Sequence, residues 1–148
     1  MPMVYKIASR ISSSEYLSFR FTRSEKSCVV YKLNEWAFPA YPKSYLFAFG
    51  SRDEAMDYLE TETDDATTSL FRAEAPNVIK AYSAVPSAFD DGILTYWNEI
   101  AKSRNRERRA KQIGACLTPK GTVFCPSIKL IEKISKSRYR DTTKHEQS

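Results

Sequence analysis

Apolar and polar positions alternate early in the chain. Over residues 15–21, Leu17, Phe19 and Phe21 are interleaved with Tyr16, Ser18 and Arg20, the period of two expected of a half-buried strand. Residues 3–8 before it read as a modest strand. Residues 27–33, SCVVYKL, are β-branched and aromatic, so a meander of two or three antiparallel strands is expected. Residues 34–44 contain Pro39 and Pro42 and are expected to be irregular, because proline fixes φ and removes a donor. Residues 45–49, YLFAF, form a wholly apolar run of strand length closed by Gly50.

The period then lengthens. Ser51 followed by Glu54 fits a capping box, and Ala55, Met56, Tyr58 and Leu59 make one apolar face, so a helix is expected over 51–60, packed on the sheet. A loop follows over 61–68. A strand is expected over 69–75 (SLFRAEA), and a further one over 78–85 after the break at Pro76-Asn77. Asp90 or Asp91 can cap a second helix, in which Ile93, Leu94, Trp97, Ile100 and Ala101 recur at helical spacing. Trp97, Ile100 and Leu94 are expected to pack on the sheet. Nothing breaks this helix before Gly114, so it can run on to Lys111. Residues 113–117 and 122–125 flank Thr118-Pro119-Lys120-Gly121, which predicts a hairpin. Residues 128–134, IKLIEKI, fit a strand or a helix, with strand preferred. Residues 135–148 are polar.

Length and composition agree with this reading. A chain of 148 residues with 42% hydrophobic and 13% aromatic residues can bury one real core. A single α+β domain is therefore expected over 1–134, with a flexible basic tail over 135–148. The sheet should be mixed or mainly antiparallel, with five to seven strands and two main helices. No apolar run approaches the roughly 18 residues needed to cross a bilayer, and residues 1–10 lack a long apolar segment of the secretory type. These features lead us to expect a cytoplasmic or nuclear protein, not secreted and without membrane contact.

Charge is unevenly spread. Between Lys102 and Lys111, six cations (Lys102, Arg104, Arg106, Arg108, Arg109 and Lys111) face one anion, Glu107, for a net of +5, which equals the net charge of the whole chain. Residues 52–65 run the other way, with a net of −6. The basic segment is the candidate contact for a polyanion, either nucleic acid or an acidic protein, with Tyr96 and Trp97 close by as stacking surfaces. Two plainer readings stand beside it. Cations suit the C-terminal end of a helix dipole, and a basic cluster can serve nuclear localisation.

The catalytic inventory is thin. The single histidine, His145, lies in the polar tail, which removes the commonest general base and zinc ligand. Cys28, Cys116 and Cys125 lack paired-motif spacing and read as buried thiols, with no bond between Cys116 and Cys125. Glu74, two residues from Arg72 on one strand face, reads as a member of a cross-strand ion pair. The four glycines are scattered, so no phosphate-cradling loop is formed. No catalytic residue, metal site or cofactor is expected.

The segment 45–58, YLFAFGSRDEAMDY, resembles the strand, serine and tyrosine-bearing helix beside the NAD site of the ADP-ribosyltransferase fold. Residues 69–75 would then be the next core strand, and TVFCPSIKLIEKI is similar to the late strand region of that family. The resemblance covers about a third of the chain and implies a nucleotide cleft at Ser51 and Tyr58. Two departures accompany it. Lys120 and Gly121 stand where the family's catalytic glutamate would precede Val123, and Lys6 is the nearest match to the basic residue that opens the first strand. The resemblance therefore implies a shared scaffold without transfer activity. Two functions follow from the sequence: a non-enzymatic module binding nucleic acid or an acidic partner through 102–111, or a nucleotide-binding, degenerate ADP-ribosyltransferase-like protein using Ser51 and Tyr58.

Overall fold

A computed structural model describes residues 1–18, 29–41, 43–63, 66–86 and 90–136. Expectations for Phe19, Arg20, Phe21, Cys28, Pro42, Asp64, Asp65, His145 and the stretch 137–148 lie outside the described residues. Eleven strands and three helices occur among the described residues: β1 (Met3–Arg10), β2 (Tyr16–Ser18), β3 (Val30–Tyr31), β4 (Trp36–Ala37), β5 (Leu46–Phe49), α1 (Arg52–Glu62), β6 (Thr68–Glu74), β7 (Ile79–Lys80), β8 (Ala84–Val85), α2 (Asp90–Lys102), α3 (Arg106–Ile113), β9 (Cys116–Leu117), β10 (Thr122–Cys125) and β11 (Ile128–Lys136). The class is α+β, as expected. The counts exceed five to seven strands and two helices because five strands are only two residues long, too short to show a period.

Nine strands form one sheet in the order β4-β11-β6-β1-β5-β10-β7, with β2 and β3 branching from β1, and β8 pairs with β9 apart from it. Every strand pairing among the described residues is antiparallel. The meander β1-β2-β3 is present as the alternation predicts, although Tyr16 rather than Leu17 is the buried residue of β2. Residues 34–44 are not wholly irregular, since Trp36 and Ala37 pair with Lys129 and Ile128. The ambiguous segment 128–134 is a strand that runs on to Lys136, two residues past the expected domain boundary, with register shifts at Leu130/Glu132 and Lys133/Ser135. Across β6 and β11, Arg72 sits opposite Glu132 (2.8 Å) and Glu74 opposite Lys129 (3.4 Å). Glu74 is the cross-strand ion-pair member its position predicts.

The two sheet faces are covered differently. Ser51 caps α1 with the predicted box, its hydroxyl accepting from Glu54 N–H at 3.2 Å and donating to Glu54 Oε1 at 3.1 Å. Ala55 and Leu59 then bury against Ile7, Phe49 and Leu70, with Met56 and Tyr58 at the rim. On the opposite face, Val4, Ala8, Phe71, Ala73 and Leu130 pack with Tyr16, Tyr31 and Ala37. Tyr45 and Phe47 alternate with Leu46 and Ala48, so they share the face of Phe49 and α1, and α2 lays Ile93, Tyr96, Trp97 and Ile100 over them and Phe124. These four recur at i, i+3, i+4 and i+7, a single stripe. Leu94 lies off that stripe and is 42% exposed, which corrects its expected place in the core.

Two further expectations fail for identifiable reasons. The second helix does not continue to Lys111. Ser103 donates its hydroxyl to Glu99 O (2.8 Å), Asn105 turns extended, and Asn105 Oδ1 accepts from Arg108 N–H (3.0 Å), so one helix ends and a new one is capped. The hairpin across 118–121 does not form either: the turn is present, with Thr122 N–H donating to Pro119 O at 3.1 Å, but its arms pair elsewhere. Gly114 lets the exit of α3 touch β8, since a Cβ there would stand 2.5 Å from Ala84 Cβ. That contact carries β9 onto β8, while β10 inserts between β5 and β7. No helix among the described residues is long and apolar enough to cross a membrane.

Candidate functional site

The basic segment is divided by the break between α2 and α3. Lys102 remains in the last turn of α2, Arg104 lies in the connection, Arg106 and Arg108 occupy the first turn of α3, and Lys111 its last. Arg109 is committed internally: its guanidinium donates to Glu99 Oε1 at 2.7 Å and to Gln112 Oε1 at 3.1 Å. That hydrogen bond, with the charges of Arg109 and of Lys102 at 3.8 Å, holds the Glu99 carboxyl below its ordinary range. Glu107, the one anion of the segment, is turned toward Ser83, accepting from its N–H at 2.7 Å and its hydroxyl at 2.9 Å. Arg104, Arg106, Arg108 and Lys111 are exposed and form no ion pair among the described residues.

Tyr96 and Trp97 are not stacking surfaces for that segment. Both are buried, at 1% and 3% exposure. The Tyr96 hydroxyl donates to Ala84 O at 2.7 Å, and burial raises its pKa above the usual tyrosine value. The helical stripe that selects them for the core turns them away from the arginines.

Ser51 and Tyr58 sit at the cap and in the second turn of α1. Ser51 is engaged with Glu54, and the Tyr58 ring leans on Phe49 with centroids 5.3 Å apart. Glu54 lies along Gly121, which has φ +87 and whose missing Cβ would stand 2.4 Å from Glu54 Oε1. Neither Ser51 nor Tyr58 lines the cleft that opens between β1 and β5.

That cleft follows from a fork in the sheet. β1 pairs with β5 only at Tyr5–Phe49, whereas its last residues, Ala8 to Arg10, pair with β2. Continuing the first register would set Ile7 against Phe47, but the strands have already separated. The gap is partly open to solvent and is lined by residues of β1, β3, β5, the 39–45 connection and α2. Lys6 stands at its floor, at a core-facing position between Val4 and Ala8, and is 3% exposed. Its amine donates to Phe47 O at 2.5 Å and lies 5.2 Å from the centroid of the Tyr31 ring.

Burial sets the electrostatics of this floor. Desolvation, partly countered by Cys125, holds the Lys6 amine down to about 7 from 10.5. The Cys125 thiol is pushed up to about 12, mainly by burial. Tyr31 is raised well above the ordinary tyrosine value by burial first and Cys125 second. Its hydroxyl is buried without a hydrogen-bond partner among the described residues. Cys116, by contrast, is exposed, against the expectation of a buried thiol, because β9 pairs at the periphery; both it and Cys125 are free.

Sequence reasoning missed this cleft. Its one local signal was a lysine at the middle of an apolar strand face, Val4-Lys6-Ala8. Comparison with family models, with curated proteins and with solved structures finds no match for this chain.

Proposed function

We propose that this protein is a non-enzymatic module that binds nucleic acid through the face carrying Lys102, Arg104, Arg106, Arg108 and Lys111. The observation that carries the reading is the position of Arg106 and Arg108. A helix dipole favours cations at its C-terminal end and disfavours them at its N-terminal end, by about 0.3–1 kcal/mol each. The break at Ser103–Asn105 puts these two arginines, exposed, in the first turn of α3, where they work against the helix. Fold stability therefore does not account for them. An anion approaching this end meets two guanidinium groups and the positive end of the dipole together.

With Tyr96 and Trp97 in the core, the face has charge but no aromatic platform, so contact is with phosphates, and little base preference is expected. Each phosphate contact releases condensed counterions, giving a log–log salt slope of about −0.9 per contact on duplex DNA. Titration of a labelled duplex at two salt concentrations tests this with the parent and with Arg104→Ala/Arg106→Ala/Arg108→Ala. The variant should bind more weakly and flatten the slope by up to about one unit for each phosphate it no longer engages, alike for different sequences. Absence of parent binding at low salt, or binding indifferent to salt and to the three substitutions, overturns the proposal. Salt-dependent binding to polyglutamate but not to the duplex replaces nucleic acid with an acidic protein. A nucleotide cleft at Ser51 and Tyr58 is less favoured, since Ser51 is occupied as a helix cap.

A further inference from the structure

The fork between β2 and β5 leaves an unusual floor for a gap of this kind: an amine and a phenol at the bottom of aromatic walls. Tyr41, Tyr45, Phe47 and Trp97 line the sides, Lys6 and Tyr31 the base, and no carboxylate lines the gap among the described residues. The walls are braced by one another, which fixes their shape. Tyr45 meets Trp97 edge-on at 5.7 Å and stacks on Phe124 at 5.6 Å, and Phe47 meets Trp97 edge-on at 6.1 Å. A slot of this composition favours a flat ring, which can offer its faces and edges to the surrounding aromatics. The base is donor-rich and selects the other end of the occupant. Tyr31 brings a buried O–H with no acceptor among the described residues, and such a group is stabilised by any ligand oxygen that reaches it.

We propose that this cleft is a binding site for a small single-ring aromatic carboxylic acid, with its ring among Tyr45, Phe47 and Trp97 and its carboxylate accepting from Tyr31 and Lys6. Three features of the site choose the acid over other ring compounds. Among the described residues the base presents two donor side chains and no acidic one, which suits an anion and rejects an amine. A carboxylate has two oxygens and can accept from both groups at once. The surroundings are apolar, so a charge-assisted pair formed there is stronger than one at the surface. The gap is partly open to solvent, which gives the occupant an entrance.

The test uses the full chain and calorimetric titration with benzoate, benzyl alcohol and benzylamine. Benzoate should bind with a dissociation constant of about 1 mM or below. Benzyl alcohol should bind at least about tenfold more weakly, and benzylamine not at all. Tyr31→Phe keeps the ring and removes only an unpartnered hydroxyl, so it should fold as well as the parent and weaken benzoate by about tenfold, the loss of one hydrogen bond to a charged group. Lys6→Met should weaken it further. The Arg104/Arg106/Arg108 triple alanine variant should bind benzoate as the parent does, which separates this site from the basic face. No benzoate binding up to about 10 mM, or equal binding by Tyr31→Phe and the parent, overturns the proposal. Benzylamine binding as well as benzoate overturns it too, and so does benzyl alcohol doing so.

Discussion

Lys6 gives the protein a stability that depends on pH in a distinctive direction, and Lys6→Met isolates it. Methionine keeps an unbranched chain of similar length and removes the amine. Folding holds the Lys6 amine down to about 7 from 10.5. Between these values the unfolded chain binds a proton that the folded chain does not, so stability rises with pH, by at most about 1.4 kcal/mol per unit. Cys125 acts in the opposite sense. Its thiol keeps its proton up to about 12 instead of 9.0, so above pH 9 the folded state holds a proton that the unfolded state has lost, and stability falls. The clean window is therefore pH 7 to 9, over which the Lys6 contribution integrates to roughly 2 kcal/mol. Urea unfolding of parent and Lys6→Met at half-unit steps through this window measures it. The parent should gain roughly 2 kcal/mol more than the variant on going from pH 7 to 9. Parallel curves would refute the account, because a lysine with an ordinary pKa contributes no slope there.

Trp97→Ala should cost roughly 3–5 kcal/mol by chemical unfolding, since Trp97 is buried among Tyr45, Tyr96 and Phe124, whereas Leu94→Ala, at an exposed position, should change stability by less than about 0.5 kcal/mol. Ser51→Ala should cost about 1 kcal/mol by removing the cap of α1, and Ser51→Asp should restore most of it in the same unfolding assay. In the native protein, Cys116 should react with a thiol reagent far faster than Cys125, read by peptide mapping of the labelled chain; comparable rates would contradict the burial of Cys125.

The strands with clear periodicity and the capped helix were legible in the sequence, because each rests on contacts within a few residues. Ser51 and Glu54 close their box three positions apart, and β6 reads as a strand wherever it is placed. The cross-strand role of Glu74 was legible for a similar reason, since side chains two apart share a face. The charge of 102–111 was equally plain, but its meaning was not. Whether Arg106 and Arg108 end one helix or begin another turns on Ser103 and Asn105 as competing caps, a balance that propensity leaves open. Pairing partners were beyond reach for a different reason. β9 chooses β8 over β10 through the close approach of Gly114 to Ala84, a contact across some thirty residues of chain. The cleft is the extreme case: it exists because β1 divides its edge between β2 and β5, and its floor joins Lys6, Tyr31 and Phe47 from three separate strands. Local sequence determines which segments can be strands or helices; only tertiary pairing decides where a sheet forks, and hence which side chains meet in the gap.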